Sequence, residues 1–569
     1  MRIPVRITVI AVWSASALCS APIAAQQLDW FVLSQPTLDE PRMFTMTVDP
    51  AGNLYTGGDL YAGDDMDPGP GVVAGNITGG CVRKLDADGA YQWCVAFAEV
   101  SNGSYCRAED MAIDATGNII IVGKLAGTID FDPSPAQALR TSTGNWNTFV
   151  CKLDPSGNLL WVVDLAYTGW NTRVAIDGAD NICVGGFIQD DADFDPGPGD
   201  HTLAPTGNSA GFIWKLDTAG NYVWAGLVNG TVDVLITDIA VDAGNNLIAA
   251  GWQTGTADLD PGVDYHASTL QRFVIKLQPS GDLAWAVELP HDYALGLAVD
   301  GEGNVIVSGT LLGFNGPYDF DPGAGTFELF AAASPFLWKL SPQGDLVWAK
   351  LFGDAGSSTE GVWVTTDAAD HAIISGRGYG NIDLDPGPDS TPAPGAVDHN
   401  FFSVLDAQGN FVSGGFITHQ DDEADDDAGR NWAWQPVADA VGNIYIGGYA
   451  WGTMDFDPGP GQSTVTNNAL YDGNHMPSGF VVKLGTLSTA VAGTRNEHFT
   501  IYPVPVQDIL HIATNEPILR ASLSDMSGRA VGIASSGTAQ LDVHDLPSGC
   551  YVLEVITRSA RMRRSVIKR

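Results

Sequence analysis

The sequence predicts an all-β protein: a seven-bladed β-propeller followed by a small Ig-like antiparallel β-sandwich. Three observations carry this reading. One phrase recurs seven times at intervals of 58 to 72 residues. Each interval holds two strand–turn–strand patterns and no sustained helical period. Gly (67 residues) and Pro (32) are abundant while charged residues make up 17%, a mix that suits short strands joined by tight turns.

The recurring phrase is Asp-x-x-Gly-Asn before an apolar run, starting at Asp49, Asp114, Asp177, Asp242, Asp300, Asp367 and Asp439. The third and sixth copies carry Asp180-Asn181 and Asp370-His371 in place of Gly-Asn. A polar turn between two apolar runs is a hairpin. A second phrase, an apolar run ending in Lys-Leu, then a Gly turn, then Trp, reads as another hairpin. Its pairs are Lys84 with Trp93, Lys152 with Trp161, Lys215 with Trp224, Lys276 with Trp285 and Lys339 with Trp348. The sixth copy has Val404 and Ser413 instead. Four strands per repeat, seven times over, describe blades that bury their faces against one another. A straight solenoid is the weaker reading, because its repeats are shorter.

The ring is expected to close on itself. The seventh copy stops at Lys483-Leu484 with no Trp strand after it, whereas Trp30 stands before the first copy. The N-terminal strand then completes the last blade and removes the open edges. The recurring Trp is expected to pack between blades.

A third phrase, Asp-x-Asp-Pro, is the strongest site candidate. Its carboxylates are Asp65 and Asp67, Asp130 and Asp132, Asp193 and Asp195, Asp258 and Asp260, Asp319 and Asp321, Asp383 and Asp385, and Asp455 and Asp457. Its spacing from the first phrase is 18 residues in six copies and 21 in the fifth. Residues i and i+2 of an extended strand share a face, so each pair points together. Two hard oxygen donors side by side suit Ca²⁺, the cofactor this phrase admits. Asp-Pro-Gly is also a strong turn former, and seven copies favour a turn over a catalytic site.

Other chemistry is thin. Gly207-Asn208-Ser209-Ala210-Gly211 matches the nucleophile-elbow pattern but precedes a β-run rather than a helix. No His-Glu-x-x-His, phosphate-cradling loop or dinucleotide fingerprint occurs. The run from Asp421 to Asp427 reads as a solvated acidic loop.

The domains follow: 1–25 a signal peptide, 26–486 the propeller, 487–497 a linker, and 498–569 the C-terminal sandwich. Arg2 and Arg6 precede an apolar stretch, Ile7 to Leu18, and small residues lead to a cleavage point before Gln26. The stretch is too short for a membrane anchor, and no transmembrane segment is expected elsewhere. Leu18 is a poor residue to precede a lipidated Cys19. Loss of Arg2 and Arg6 takes the formal charge from −40 to about −42, which excludes nucleic acid as a partner. Six cysteines remain after Cys19, and export permits disulfides. If Leu85 pairs with Ala90, Cys81 sits opposite Cys94, leaving either a disulfide or two buried thiols.

Residues 26–486 resemble the bacterial β-propeller repeat family with Asp-x-x-Gly-Asn hairpins, a resemblance that implies the fold and little about activity. Residues 498–569 resemble the type A C-terminal sorting domain of the type IX secretion system of Bacteroidetes. Three blocks match in order: Tyr502, Pro503 and Pro505 in a Tyr-Pro-x-Pro strand, Gly528-Arg529 in a hairpin, and Gly549 and Tyr551 in Leu-x-x-Gly-x-Tyr. Val504 stands where the family usually has Asn. The resemblance implies the type IX translocon as partner and an extracellular or outer-surface location. The expected function is a secreted or cell-surface binding, adhesion or scaffold module with an unknown extracellular ligand, glycan or protein. The alternative is a carbohydrate-active enzyme using carboxylates on the propeller face.

Overall fold

The computed structural model describes residues 26–568 apart from 34–42, 68–72, 74, 76, 102, 170, 290–292, 312–316, 331–333, 354–357, 380–381, 388–389, 393–398, 420–433, 451, 460–461, 468–469, 472–473, 476–477, 486–498, 503–507, 515–519, 526–529, 535–539, 545, 548 and 557–560. Among the described residues there is no helix. Two compact units divide the chain, Met1–Leu487 and Ser488–Arg569. The expected signal peptide, the linker and the acidic run 421–427 lie outside the described residues.

The first unit is a β-propeller. Its first blade pairs β2 (Met43–Val48), β3 (Leu54–Leu60), β4 (Gly79–Leu85) and β5 (Tyr91–Ala96) in that order. Five more sheets repeat the pattern, with innermost strands Tyr105–Ile113, Arg173–Ile176, Asp233–Val241, Tyr293–Val299 and Ser358–Thr366. The seventh sheet runs Val437–Ala438, Ile444–Ala450, Ser478–Gly485 and then β1 (Gln27–Leu33). Each innermost strand touches the next, and the seventh touches the first, so seven sheets surround a channel.

Alternation along the strands explains the packing. Second and third strands are buried on both faces and read as unbroken apolar runs, such as Ile119–Ala126 and Asn147–Leu153. Blade faces meet in separate cores: Val82, Cys106, Phe131 and Phe149 between blades 1 and 2, and Tyr445, Met46 and Leu85 between blades 7 and 1. Phe97, Phe131 and Phe149 are fully buried together, the bulk that welds one blade to its neighbour.

The Asp-x-x-Gly-Asn turns need one residue in the left-handed region. Gly supplies it where present, as at Gly117 with φ 84°. Asp180, Asn245 and Asp370 supply it in the other copies, at φ 59°, 62° and 61°, the residue types that tolerate this region best.

One expected register is corrected. A β-bulge between Lys84 and Leu85 pairs Leu85 with Tyr91 rather than Ala90. Arg83 therefore faces Cys94, and Cys81 faces Ala96. Cys81 and Cys94 are diagonal neighbours, and both are thiols. The bulge recurs at the same point in five other blades because the tight outer turn forces an extra residue into the ladder.

The second unit has two antiparallel sheets. One holds Phe499–Tyr502, Ile509–Thr514 and Gln540–Asp542; the other holds Ala530–Ala534, Arg520–Asp525, Gly549–Ile556 and Arg561–Lys568. Leu510, Ile512 and Leu541 from the first share a core with Leu523, Tyr551 and Leu553 from the second.

Candidate functional site

Strand direction sorts the propeller into two faces. The Asp-x-x-Gly-Asn turns and the outer Lys-to-Trp turns lie at one end of every blade; the Asp-x-Asp-Pro loops lie at the other.

The first face is sealed. In blades 2 to 5 the lysine of the third strand meets the repeat aspartate: Lys152 with Asp114, Lys215 with Asp177, Lys276 with Asp242 and Lys339 with Asp300, all at 2.7–2.9 Å and all buried. Against the cost of burial, bonds from Lys339 and Asn304 hold Asp300 below the usual carboxylate range. The Trp paired with each lysine reaches into the next blade. Trp161 and Lys152 both donate to the carbonyl of Thr218, Trp285 and Lys276 to Pro342, and Trp348 and Lys339 to Ala407. These acceptors all sit in the neighbour's outer turn. Its glycine lies flat against the indole: a Cβ on Gly220 would stand 3.1 Å from Trp161.

The Asp-x-Asp-Pro loops show where the fourteen candidate carboxylates lie. The first Asp of each pair accepts the backbone N–H two residues on, at 3.0–3.2 Å, and eight residues on, at 2.7–2.9 Å. In copies two to seven the second Asp accepts the N–H two residues on, at 2.7–2.9 Å. In copies two to seven the residue between them is buried, and Phe194 and Phe320 give their carbonyls to Trp214 and Trp338 Nε1 at 2.9 Å. At the sixth copy Asp383 and Asp385 line a cavity of 410 Å³ with Leu351 and Pro392. Each loop is spaced around its own blade, so the pairs are not gathered into one site. Among the described residues no group of three or more His, Cys, Asp or Glu is placed to hold a metal.

A constellation that breaks the repeat sits at the channel, toward the loop face. Innermost strands bulge there, which re-aims single side chains. Arg107 Nη2 meets Glu109 Oε1 at 2.6 Å and lies 4.2 Å over the Phe44 ring. Lys124 lies 4.6 Å over Trp146 and 4.0 Å from Glu109. Glu109 Oε2 accepts the N–H groups of Asn171 and Thr172, which lead into the third blade. Arg173 points across the channel, 5.0 Å over Trp363 of the sixth blade, with Nε 4.0 Å from Asp238 of the fourth.

Two carboxylates, the half-buried Asp110 and the buried Asp238, flank Arg173. Asp110 accepts the N–H of Val174 at 2.9 Å, and Asp238 that of Leu297 at 2.6 Å, each on the next blade. Burial raises both, and Arg173 opposes the rise. Asp238 is pushed up to about 7, with the charge on Asp110 adding to burial. Sequence reading missed this set. Its signal is the run Arg107-Ala108-Glu109-Asp110 and the lone Arg173, the two arginines being the basic residues of innermost strands whose other charges are acidic.

In the second unit, Tyr551 is buried and its hydroxyl donates to the Pro547 carbonyl at 2.7 Å. Tyr502 ends one strand and Gly549 begins another. Pro503, Pro505, Gly528 and Arg529 lie outside the described residues.

Fold and tail together define an exported β-propeller. Residues 500–569 match the secretion system C-terminal sorting domain family. The chain is a β-propeller protein that carries a type IX secretion sorting tail, and that tail directs it to the extracellular or cell-surface location and implies interaction with the secretion system. An uncharacterised WD repeat-containing protein of Acanthamoeba polyphaga mimivirus is 24% identical over 273 residues, covering 41% of this chain and 18% of that protein. Among solved structures, the Dos1 propeller is 8% identical with a TM-score of 0.37, covering 79% of this chain and 95% of that one. A protein of unknown function from Bacteroides caccae is 10% identical with a TM-score of 0.29, covering 60% and 95%. Among the described residues no helix is long and apolar enough to cross a membrane.

Proposed function

We propose that the chain is a binding or adhesion module that holds an extracellular ligand, a glycan or a protein, at the mouth of its channel. The observation behind this is the departure from sevenfold symmetry there. Phe44, Trp146 and Trp363 each stand under a cation, and the three come from different blades. Aromatic faces beside guanidinium and carboxylate groups offer stacking and directional bonding in one place. An array of glycans and extracellular proteins, probed with the full chain, is expected to retain one class. Trp146→Ala should weaken that retention at least tenfold; unchanged retention would remove the channel mouth as the site.

A second reading has one observation in its favour. A carboxyl near neutrality, as at Asp238, is what a general acid for glycoside cleavage requires. The opposing fact is that both Asp110 and Asp238 accept backbone N–H bonds. New reducing ends released from a retained glycan would favour the enzyme.

We also read residues 1–25 as a cleaved leader and the source as a member of the Bacteroidetes. Calcium at the Asp-x-Asp-Pro loops is a further proposal, and the cavity beside Asp383 and Asp385 offers room for it at the sixth loop. Calorimetric titration with Ca²⁺ tests this, and the absence of both heat and a thermal shift would overturn it.

A further inference from the structure

We propose that Cys81, Cys94 and Arg83 form an oxidisable dithiol site that closes to a disulfide in the exported protein. The three residues share one face of the first blade. Val82 belongs to the core shared with blade 2, and Leu85 to the core shared with blade 7. Alternation along β4 therefore turns Cys81 and Arg83 toward blade 7, beside the seam where the ring closes. Arg83 stands directly opposite Cys94 on β5. The Cys81 and Cys94 thiols are neighbours on that face with Arg83 beside them, and the Cys94 thiol lies 3.9 Å from the Val95 carbonyl. Arg83 is buried, and its Nε has no hydrogen-bond partner.

The donated thiol proton of Cys81 and the charge of Arg83 pull Cys94 below the ordinary thiol range, while Cys81 is pushed up. This polarises the pair: Cys94 is the attacking thiolate and Cys81 the resolving thiol. Diagonal partners stand roughly 7–8 Å apart, just beyond the roughly 7 Å at Cα that a disulfide spans without backbone movement. β5 is the blade's outermost strand and starts at the bulge beside Leu85, so it can move the small remaining distance.

The chemistry balances with a disulfide oxidant, either an exported thiol oxidoreductase or glutathione disulfide. Cys94 attacks one sulfur of that disulfide and expels the other as a thiolate. Cys81 then loses its proton, attacks the Cys94 sulfur and expels the second thiolate. One S–S bond forms as one breaks, and the two protons end on the reduced oxidant. Cys106, Cys151 and Cys183 are buried, and burial is the largest cause of the rise in each, so none is drawn toward the thiolate as Cys94 is.

Peptide mapping tests the site. Full-length protein is collected from the medium of an exporting host, denatured, and alkylated without reductant. Trypsin cuts after Arg83, Lys84 and Arg107, so Cys81 falls on one peptide and Cys94 on the next together with Cys106, and fragmentation of the joined pair shows which of the two carries the alkyl group. The expected result is one joined peptide that separates on reduction, with Cys106, Cys151 and Cys183 alkylated beforehand. Full alkylation of Cys81 and Cys94, persisting after native protein is incubated with glutathione disulfide, would overturn the proposal. So would a link from either residue to Cys106. Arg83→Gln should slow oxidation by glutathione disulfide several-fold at pH 7; an equal rate would remove Arg83 from the site.

Discussion

Trp30 Nε1 donates to the carbonyl of Ala87 at 3.0 Å, and this bond crosses the seam of the ring. Lys483, paired with Trp30 in register, donates to the same oxygen at 2.9 Å. The two donors come from opposite ends of the propeller sequence, yet they repeat what Trp348 and Lys339 do at Ala407. A Cβ on Gly89 would stand 3.0 Å from the Trp30 ring, so the turn carrying Ala87 is shaped to receive it.

Closure by Trp30 is open to test by substitution. Trp30→Phe keeps the packing and removes the bond, so a loss of about 1 kcal/mol is expected. Trp30→Ala removes the packing too and should cost about 3 kcal/mol. Urea midpoints measure both. A Trp30→Ala protein as stable as the parent would mean that the ring does not depend on this strand.

The sixth blade has Val404 opposite Ser413 where others have Lys and Trp. The seam explains the loss. The seventh blade's outer strands, Ser478–Gly485 and Gln27–Leu33, come from distant parts of the chain, so no tight turn joins them. Donors on blade six would find no turn carbonyl. Restoring the consensus with Ser413→Trp and Val404→Lys should therefore destabilise, by about 2 kcal/mol, since the buried ammonium must compete with His371 for Asp367 and the overpacked indole gains no acceptor. Lys339→Met, which strands a buried Asp300, should cost about 3–5 kcal/mol. A thermal melt in which the double substitution raises the midpoint would refute the account of the seam.

Much of this was legible because it repeats. Seven aligned phrases reveal strand positions that one blade alone would leave ambiguous, and the misplaced Trp30 reveals the closure. The bulge after Lys84 was not legible, because it depends on the geometry of the outer turn rather than on residue type. The turn pairing and the bulge each shift the ladder by one residue, and together they moved Cys94 from Cys81 to Arg83 while keeping it on the same face. The channel set was not legible for another reason. Arg173, Asp238 and Trp363 belong to blades three, four and six, and only closure of the ring brings them together.

Arg173 is the cation between two carboxylates, so its loss should depend on pH. Asp238 is raised in the folded state. The stability it contributes is full below the ordinary carboxyl value of about 4 and is lost as pH rises through about 7. Arg173→Met removes the opposing charge and deepens that loss. The variant is expected to fall behind the parent by about 3–5 kcal/mol at pH 8 and by clearly less at pH 5, where Asp238 takes a proton. Equal differences in urea midpoint at the two pH values would show that Arg173 acts by packing alone.

The sixth blade replaces its missing lysine from within the turn. His371 Nδ1 lies 2.8 Å from Asp367 Oδ2, where the other copies place an Asn. The hydrogen bond with Asp367 raises His371, and burial only partly opposes it. Asp367 is lowered: burial works against it, but the bonds from His371 prevail. The histidine's contribution is full below its ordinary value of about 6.5 and is lost as pH rises through its raised one; the aspartate's is lost as pH falls below about 4. The pair is therefore strongest between those limits. His371→Asn restores the repeat residue, which bonds Asp367 at any of these pH values. The parent should lose up to about 1 kcal/mol more than this variant between pH 6 and pH 8.5, a modest amount because the ring is partly exposed. Parallel midpoints across that range would mean that His371 stays neutral and serves only as a hydrogen-bond partner.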